Sequence, residues 1–195
     1  MQFRLIYEGR LPSAGRSNTR NKEKHLIRKA LHKQLSQLWQ NQPILSRYLS
    51  VDQPNTQSGV DMMADKFKTC GFRFLPLTHD YFGSLACSLD ILFLSHDQPG
   101  DLIKHGGDID NRIKVLFDAL RMPQNKTELK DQIPEKDEDP FFCLLQDDKQ
   151  IIEVKITTDR LLTPITDNKN SKDVHLVIHV KTISLDGNAF TAFLI

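Results

Sequence analysis

Two aspartates, an asparagine and a lysine stand close together near the middle of this 195-residue chain. Asp108 and Asp110 are two residues apart, and Lys114 follows Asp110 by four. If the chain enters the next helix in an extended conformation, both carboxylates emerge on the same side. Lys114 lies one helical turn after Asp110, so these two side chains share a helix face. The spacing predicts two carboxylates and an ammonium group at the start of one helix.

A second acidic pair, Asp147 and Asp148, comes directly after an apolar segment. Strand pairing can bring Asp148 beside Asp108 and Asp110. Carboxylates are suitable ligands for Mg²⁺ or Mn²⁺, and these ions neutralise phosphate oxygens and activate water. A nearby lysine can stabilise the charge that develops on a phosphate during hydrolysis. The leading hypothesis is a nuclease, although Asp147 and Asp148 are also ordinary turn residues.

Structural roles also explain the residues of the predicted helix. Asp110 is a good N-cap for a helix from Asn111 to Leu120. Asp118 can orient Lys114, or the two can be a plain i, i+4 pair worth about 0.2–0.5 kcal/mol. Asn111 can support the acids by hydrogen bonding. The residues alone leave the catalytic and the structural interpretations open.

Basic residues follow one face of a second predicted helix, from Thr19 to Gln40. Its apolar residues recur at helical spacing on the opposite face. A basic stripe can follow a phosphate backbone, and a solvated surface helix has the same pattern. The candidate DNA contacts are Arg20, Lys22, Lys24, Arg28, Lys29, Lys33 and Arg112.

The formal net charge of +1 conceals an uneven distribution. Residues 1–50 contain ten Lys or Arg against two Glu, whereas the rest contains 16 basic and 23 acidic residues. A basic segment beside a carboxylate-rich body fits a polyanion held over a metal site.

The overall pattern predicts an α+β fold, a small mixed β-sheet with two main helices packed on it. Residues Ser84 to Ser95 have apolar side chains on both faces, which predicts an interior strand. Ile151–Thr157 and Val174–Ile183 alternate and are separated by a polar turn, which predicts a late hairpin. Residues 43–65 are expected to form a loop, and residues 125–140 an exposed excursion.

Composition narrows the class of protein. Hydrophobic residues make up 39% and charged residues 26%, as in ordinary soluble globular proteins. No apolar run reaches membrane-spanning length, and no secretory signal pattern begins the chain. The expectation is a cytoplasmic protein with no membrane partner. Cys70, Cys87 and Cys143 lack the spacing of a zinc site or a disulfide framework.

The combined motif resembles the RusA family of Holliday-junction endonucleases. The resemblance covers about Leu85 to Lys181, and residues 1–40 in outline only. The family has an arginine run before its acidic pair, whereas residues 101–107 here are much less basic. The matching residues are Asp108-Ile109-Asp110-Asn111, Lys114, Asp118-Ala119-Leu120 and Gln146-Asp147-Asp148-Lys149-Gln150-Ile151.

The resemblance implies an Mg²⁺-dependent or Mn²⁺-dependent endodeoxyribonuclease that cleaves branched DNA and acts as a homodimer. It implies that Asp108, Asp110 and Asp148 are catalytic metal ligands, that Lys114 is the catalytic lysine and that Asp147 is auxiliary. It also implies one RusA-like domain over residues 1–195, with additions at about 43–82 and 125–140. The alternatives are a non-catalytic nucleic-acid-binding or assembly protein with the same fold, and a phosphohydrolase for small nucleotides.

Overall fold

The computed structural model describes residues 1–14, 20–51, 57–80, 84–97, 108–129, 132–163 and 172–186, with the side chain of Asp108 outside the described part. The strands are β1 (Gln2–Arg10), β2 (Lys68–Thr69), β3 (Phe72–Thr78), β4 (Leu85–Ser95), β5 (Phe141–Leu145), β6 (Ile151–Arg160) and β7 (Asp173–Ser184). The helices are α1 (Asn21–Asn41), α2 (Pro43–Ser46), α3 (Gly59–Lys66), α4 (Asp108–Leu120), α5 (Lys126–Leu129) and a 3₁₀ helix (Asp148–Gln150). This mixture confirms the predicted α+β class.

The strands form a four-stranded sheet in the order β1-β7-β4-β6 and a three-stranded sheet in the order β2-β3-β5. β7 is antiparallel to both β1 and β4, whereas β6 is parallel to β4 and β5 is parallel to β3. β4 therefore lies inside its sheet, as predicted. The predicted hairpin of β6 and β7 is wrong because these strands lie on opposite sides of β4. Alternation identifies a strand, but long-range packing selects its neighbours.

Helices α1 and α4 share the main hydrophobic core with the four-stranded sheet. On β4 the side chains of Cys87, Leu89, Ile91 and Phe93 are fully buried. They belong to the same cluster as the apolar faces of the two helices, Ile27, Leu31, Leu35 and Trp39 of α1 and Val115, Leu116, Ala119 and Leu120 of α4. Burying one such Leu, Ile or Phe contributes about 1.5–3 kcal/mol, so both helices are held firmly in place.

A second, smaller core joins the three-stranded sheet to α5. Its buried members are Phe72, Phe74, Leu129, Phe141 and Cys143. Leu129 and Glu138 are both buried, so residues 125–140 are not exposed throughout as predicted. The expected loop at 43–65 contains α2 and α3, and the hydroxyl of Ser58 caps α3 by accepting a 3.0 Å hydrogen bond from Asp61 N.

The outer edge of β1 is covered at mid-strand by a side chain of α1. Gln34 Oε1 accepts from Ile6 N at 2.9 Å, and Gln34 Nε2 donates to Ile6 O at 2.7 Å. The amide thereby satisfies backbone groups that an edge strand leaves open. Among the helices of the described residues, none has the length and apolar content needed to cross a membrane.

Candidate functional site

Helix α4 has a buried apolar face and an exposed face that carries two of the predicted site residues. Asp110 and Lys114 are both exposed, and their spacing of four residues puts them on the same side of the helix. Ile113 and Leu116 on the other side are buried in the core. The core therefore orients the helix so that one carboxylate and one ammonium group face outward together.

The helix begins earlier than the sequence predicts. Asp108 is its first residue, three positions before the predicted start at Asn111. The extended approach predicted for Asp108 to Asp110 is therefore wrong, and Asp110 lies in the first helical turn instead of at the N-cap. A carboxylate in this turn interacts favourably with the positive end of the helix dipole.

Arg112 anchors the first half of α4 to the body of the protein. Its side chain is 2% exposed, Nε donates to Leu11 O at 2.9 Å, and Nη2 donates to Lys172 O at 3.1 Å. The guanidinium also lies 5.1 Å from the ring centre of Phe93. Asn111, which is partly buried, adds a backbone bond because its carbonyl accepts from Ala14 N at 3.1 Å. Arg112 therefore holds the helix and is not exposed for the DNA contact that the sequence suggests.

The last turn of α4 is held by three cations, two of which come from α1. Lys24 Nζ lies 2.7 Å from Asp118 Oδ2, and Arg121 Nη2 lies 2.8 Å from Asp118 Oδ1. Arg28 Nη2 donates to Asp118 O at 2.7 Å, and Arg28 Nε donates to Arg121 O at 3.1 Å. A guanidinium at the carbonyl end of a helix satisfies unpaired acceptors and complements the helix dipole.

Burial of these groups decides their roles. Lys24 and Arg28 are 3% and 1% exposed, and burial lowers the pKa of Arg28 to about 10. Asp118 is also buried, whereas Lys114 is exposed. Asp118 therefore joins α4 to α1, in place of the orienting role toward Lys114 that the sequence suggests.

The predicted basic stripe of α1 is thus only partly available to a ligand. Lys29 pairs with Glu138 at 2.9 Å, and Arg20 pairs with Glu23 at 3.6 Å. Lys22 and Lys33 are exposed. The stripe is divided because α1 is buried on two flanks, one apolar and one formed by Lys24, His25, Arg28 and His32.

The second acidic pair lies in a tight turn that one buried amide organises. Gln150 Oε1 accepts from Gln146 N at 3.0 Å, from Asp147 N at 3.3 Å and from Thr78 Oγ1 at 3.1 Å. Asp147 caps the 3₁₀ helix, since its Oδ1 accepts from Lys149 N at 3.0 Å. Gln150 stands within the matched motif but had no predicted role, although the Asp-x-x-Gln spacing is a capping-box signal.

The turn brings Asp148 into the neighbourhood of α4. The 3₁₀ helix that begins at Asp148 lies against both α4 and β4. β5 leads into this turn, and its last residue, Leu145, accepts from Met122 N at 2.8 Å just beyond the end of α4. Asp148 itself is exposed. The turn of Asp148 therefore reaches α4 by packing on the helix, not by the predicted strand pairing. The hydrogen bond of Leu145 places the base of this turn at the C-terminal end of α4, whereas Asp110 lies in the first turn, so the approach of Asp148 to Asp110 stays a prediction.

The support for a metal site comes from the type of ligand present, namely carboxylate oxygens, and not from an observed cluster of ligands. Within the described residues, no group of three or more His, Cys, Asp or Glu is arranged to hold a metal ion. The predicted set includes the side chain of Asp108, which lies outside the described part, so the three-acid site stays a prediction. Asp110 and Asp148 present exposed carboxylates on adjacent elements, and such oxygen ligands fit Mg²⁺ or Mn²⁺.

Comparison of the chain with family models, with curated proteins and with solved structures found no match. The resemblance to the RusA family rests on the sequence motif alone, and membership of that family stays a prediction.

Proposed function

We propose that this protein is a metal-dependent DNA endonuclease that cleaves branched DNA. The observation that supports it best is the exposed face of α4, where Asp110 and Lys114 project together on a helix against which the 3₁₀ helix of Asp148 also packs. Asn111, Arg112 and Asp118 contribute to the anchoring of α4, whereas Asp110, Lys114 and Asp148 are exposed. Exposed carboxylates and a lysine on adjacent, firmly held elements suit chemistry on a phosphodiester.

The residues divide the chemistry among them. Asp108, Asp110 and Asp148 would hold Mg²⁺ or Mn²⁺, which supplies activated water and neutralises phosphate oxygens. The ammonium group of Lys114 contacts the scissile phosphate and counters the charge that grows as water attacks. Gln150 and Asp147 keep the turn of Asp148 in position.

DNA contacts in this proposal come from the exposed part of α1. Lys22 and Lys33 are exposed on a helix that packs against α4. Each phosphate contact of this kind contributes electrostatic affinity that salt weakens. A homodimer in the cytoplasm belongs to the same proposal, because a branched substrate with two symmetric cleavage points matches a protein with two-fold symmetry.

A second candidate is a non-catalytic nucleic-acid-binding or assembly protein. The internal pairing of Lys24, Arg28, Lys29, Arg112 and Asp118 favours it, because these residues stabilise the fold without any ligand. This candidate predicts binding with no cleavage.

A cleavage assay separates the two candidates. The purified chain is incubated with a labelled mobile four-way junction, a flap and a linear duplex in Mg²⁺, Mn²⁺ or EDTA. We expect paired nicks in the junction with either metal, none in EDTA, and cleavage at least about 100-fold slower in Asp110→Asn and Lys114→Met.

Asp137→Asn and Lys136→Met are the matched controls for cleavage, since both residues are exposed and belong to neither α4 nor the turn of Asp148. They should cleave at the wild-type rate. Cleavage that survives Asp110→Asn unchanged would contradict the proposal. Binding without cleavage in either metal would favour the second candidate.

A further inference from the structure

Strand β6 forms an outer edge of the four-stranded sheet and is accessible over most of its length. In the described part of the chain, its pairing partner is β4 on one side, and no strand pairs with its other side. Ile152 and Val154 are 49% and 41% exposed, and the strand contains neither proline nor glycine. A long edge strand with exposed apolar residues is a template for pairing with another strand.

The charges of β6 are arranged symmetrically around Val154. Glu153 precedes it and Lys155 follows it, so the two charges lie on the same face of the strand. Both side chains are exposed, and Lys155 Nζ lies 3.1 Å from Asp90 Oδ2, whose side chain is itself partly exposed. Reversing the strand direction about Val154 exchanges the acid with the base.

We propose that two copies of this chain associate through β6, antiparallel, with the two-fold axis at Val154. Glu153 then lies opposite the partner's Lys155, Lys155 lies opposite the partner's Glu153, and the two Val154 side chains meet at the axis. Opposite charges and apolar side chains directly across an antiparallel pair both favour association. The pairing extends the four-stranded sheet across the axis into the second copy.

Three other antiparallel registers place like charges together. The backbone N–H and C=O groups of successive residues point alternately to the two sides of a strand. The hydrogen bonds between two antiparallel copies therefore match only if the two-fold axis passes through a residue and not between two residues. An axis through Glu153 puts this residue opposite the partner's Glu153. An axis through Lys155 puts this residue opposite the partner's Lys155. An axis through Ile156 puts Glu153 opposite the partner's Asp159. These three arrangements are unfavourable by the same cross-strand rule.

One further register places opposite charges together but mismatches an apolar residue. An axis through Thr157 brings Lys155 opposite the partner's Asp159, yet it also places Val154 opposite the partner's Arg160. The register centred on Val154 combines opposite charges with apolar contact. It therefore fits the strand best.

The proposal rests on the edge strand and its charge pattern, not on the proposed nuclease activity. It gives the homodimer of the proposed function an interface, and its test measures association without DNA or metal. A monomer would therefore remove the homodimer, whereas the cleavage chemistry is tested by its own assay. Sedimentation equilibrium of the full chain should give about twice the monomer mass of 22.4 kDa. A monomer at all concentrations tested would overturn the proposal.

Charge reversal tests the facing pairs. Glu153→Lys places lysine opposite lysine at two symmetric positions, and we expect the dissociation constant of the dimer to rise about tenfold or more. The double variant Glu153→Lys/Lys155→Glu should restore wild-type association, because it exchanges the partners. The control Asp137→Lys, an exposed acid outside the strand, should leave association unchanged. Wild-type association of Glu153→Lys, or a double variant no better than the single, would overturn the proposal.

Disulfide trapping tests the register. Opposed residues of an antiparallel pair have Cα atoms about 4.5–5.5 Å apart, within disulfide reach. In a Cys70→Ser background, oxidised Val154→Cys should form a covalent dimer, whereas Thr157→Cys, at a position that is also exposed, should not. Trapping of Thr157→Cys without Val154→Cys would overturn the proposed register.

Discussion

Lys24 and Asp118 form a buried ion pair between α1 and α4, with 2.7 Å between Nζ and Oδ2. Their side chains are 4% and 12% exposed, so solvent screens the attraction between the two charges only weakly. Arg121 completes the pairing of the carboxylate. The helix that carries Asp110 and Lys114 is therefore fixed at its far end by electrostatic contacts within the protein.

Removing one member of this pair should destabilise the fold. Lys24→Met leaves Asp118 with less charge compensation, and loss of one partner from a buried pair costs about 3–5 kcal/mol. Urea unfolding followed by circular dichroism measures this loss. Lys22→Met, an exposed neighbour, should stay within about 0.5 kcal/mol of wild type. Equal stability of the two variants would show that the buried pair contributes little.

The exposed lysines should show the opposite behaviour. Lys22→Met and Lys33→Met should keep wild-type stability but bind DNA more weakly, and the slope of log K against log salt should fall by about 0.9 for each phosphate that the lysine no longer neutralises. Fluorescence anisotropy over a salt series measures the slope. Lys181→Met, an exposed lysine on β7, is the control, and unchanged slopes in Lys22→Met and Lys33→Met would exclude these two lysines from the DNA interface.

Gln150→Leu should loosen the turn that carries Asp148. The variant removes the acceptor of three hydrogen bonds. Gln146 N keeps Thr78 O and the Thr78 hydroxyl keeps Leu144 O, so the donor that loses its acceptor is Asp147 N, at a cost of about 1–3 kcal/mol. We expect lower stability and, at a temperature where the variant is still folded, slower cleavage. Cleavage at the wild-type rate would show that Gln150 does not position the site, whatever its effect on stability.

The stability of the protein should fall in mild acid through His25. Burial lowers the pKa of His25 to about 4, and neither ring nitrogen has a hydrogen-bond partner among the described residues. The unfolded chain binds this proton near pH 6.5 and the folded chain only near pH 4. The part of the folding stability that depends on neutral His25 is therefore fully present above pH 6.5. It is lost as the pH falls toward 4 and amounts to roughly 3 kcal/mol.

His25→Leu tests this loss because it removes the titrating group. The free energy of unfolding is measured by urea at pH 7 and at pH 4.5 for both proteins. The difference between the two pH values should be smaller in the variant. His79, whose pKa burial also lowers to about 4, keeps part of the effect. Identical differences in the two proteins would assign the acid sensitivity to other groups.

Thiol reactivity should separate the three cysteines. Burial raises the pKa of Cys87 and of Cys143 to about 12, whereas Cys70 is partly exposed. Iodoacetamide at pH 8 should therefore modify Cys70 first and reach the other two only after urea unfolds the protein. Mass spectrometry of the digested protein identifies the modified residues. Rapid labelling of Cys143 in the folded protein would show that its surroundings open readily.

Local sequence patterns predicted where the strands lie in the chain better than they predicted which strands pair with each other. The apolar residues of β4 lie on both faces of the strand, which predicts an interior position, and β4 does lie between β6 and β7. The structure fully buries the face of Cys87, Leu89 and Ile91, whereas the side chain of Leu92 on the other face is exposed. β6 and β7 show an alternation typical of a hairpin, but β6 pairs in parallel with a strand that precedes it by some 60 residues. The alternation contains no information about such distant partners.

Only part of the candidate site was predictable, because some of the residue roles depend on contacts with distant parts of the chain. Exposure of Asp110 and Lys114 follows from helical periodicity, which the sequence displays. The structural roles of Lys24, Arg28 and Arg112 depend on Asp118 and on carbonyl groups far along the chain. A basic residue on a helix has the same sequence signal whether it faces solvent or a buried acceptor.

The amide of Gln34 gives the four-stranded sheet two unlike ends. Backbone groups at the middle of β1 are already satisfied, whereas the outer side of β6 has no such cover in the described chain. If another strand can be added only at β6, two copies that pair through β6 leave no open edge for a third copy. The same edge chemistry that drives other sheets into fibres would here stop at a finite assembly.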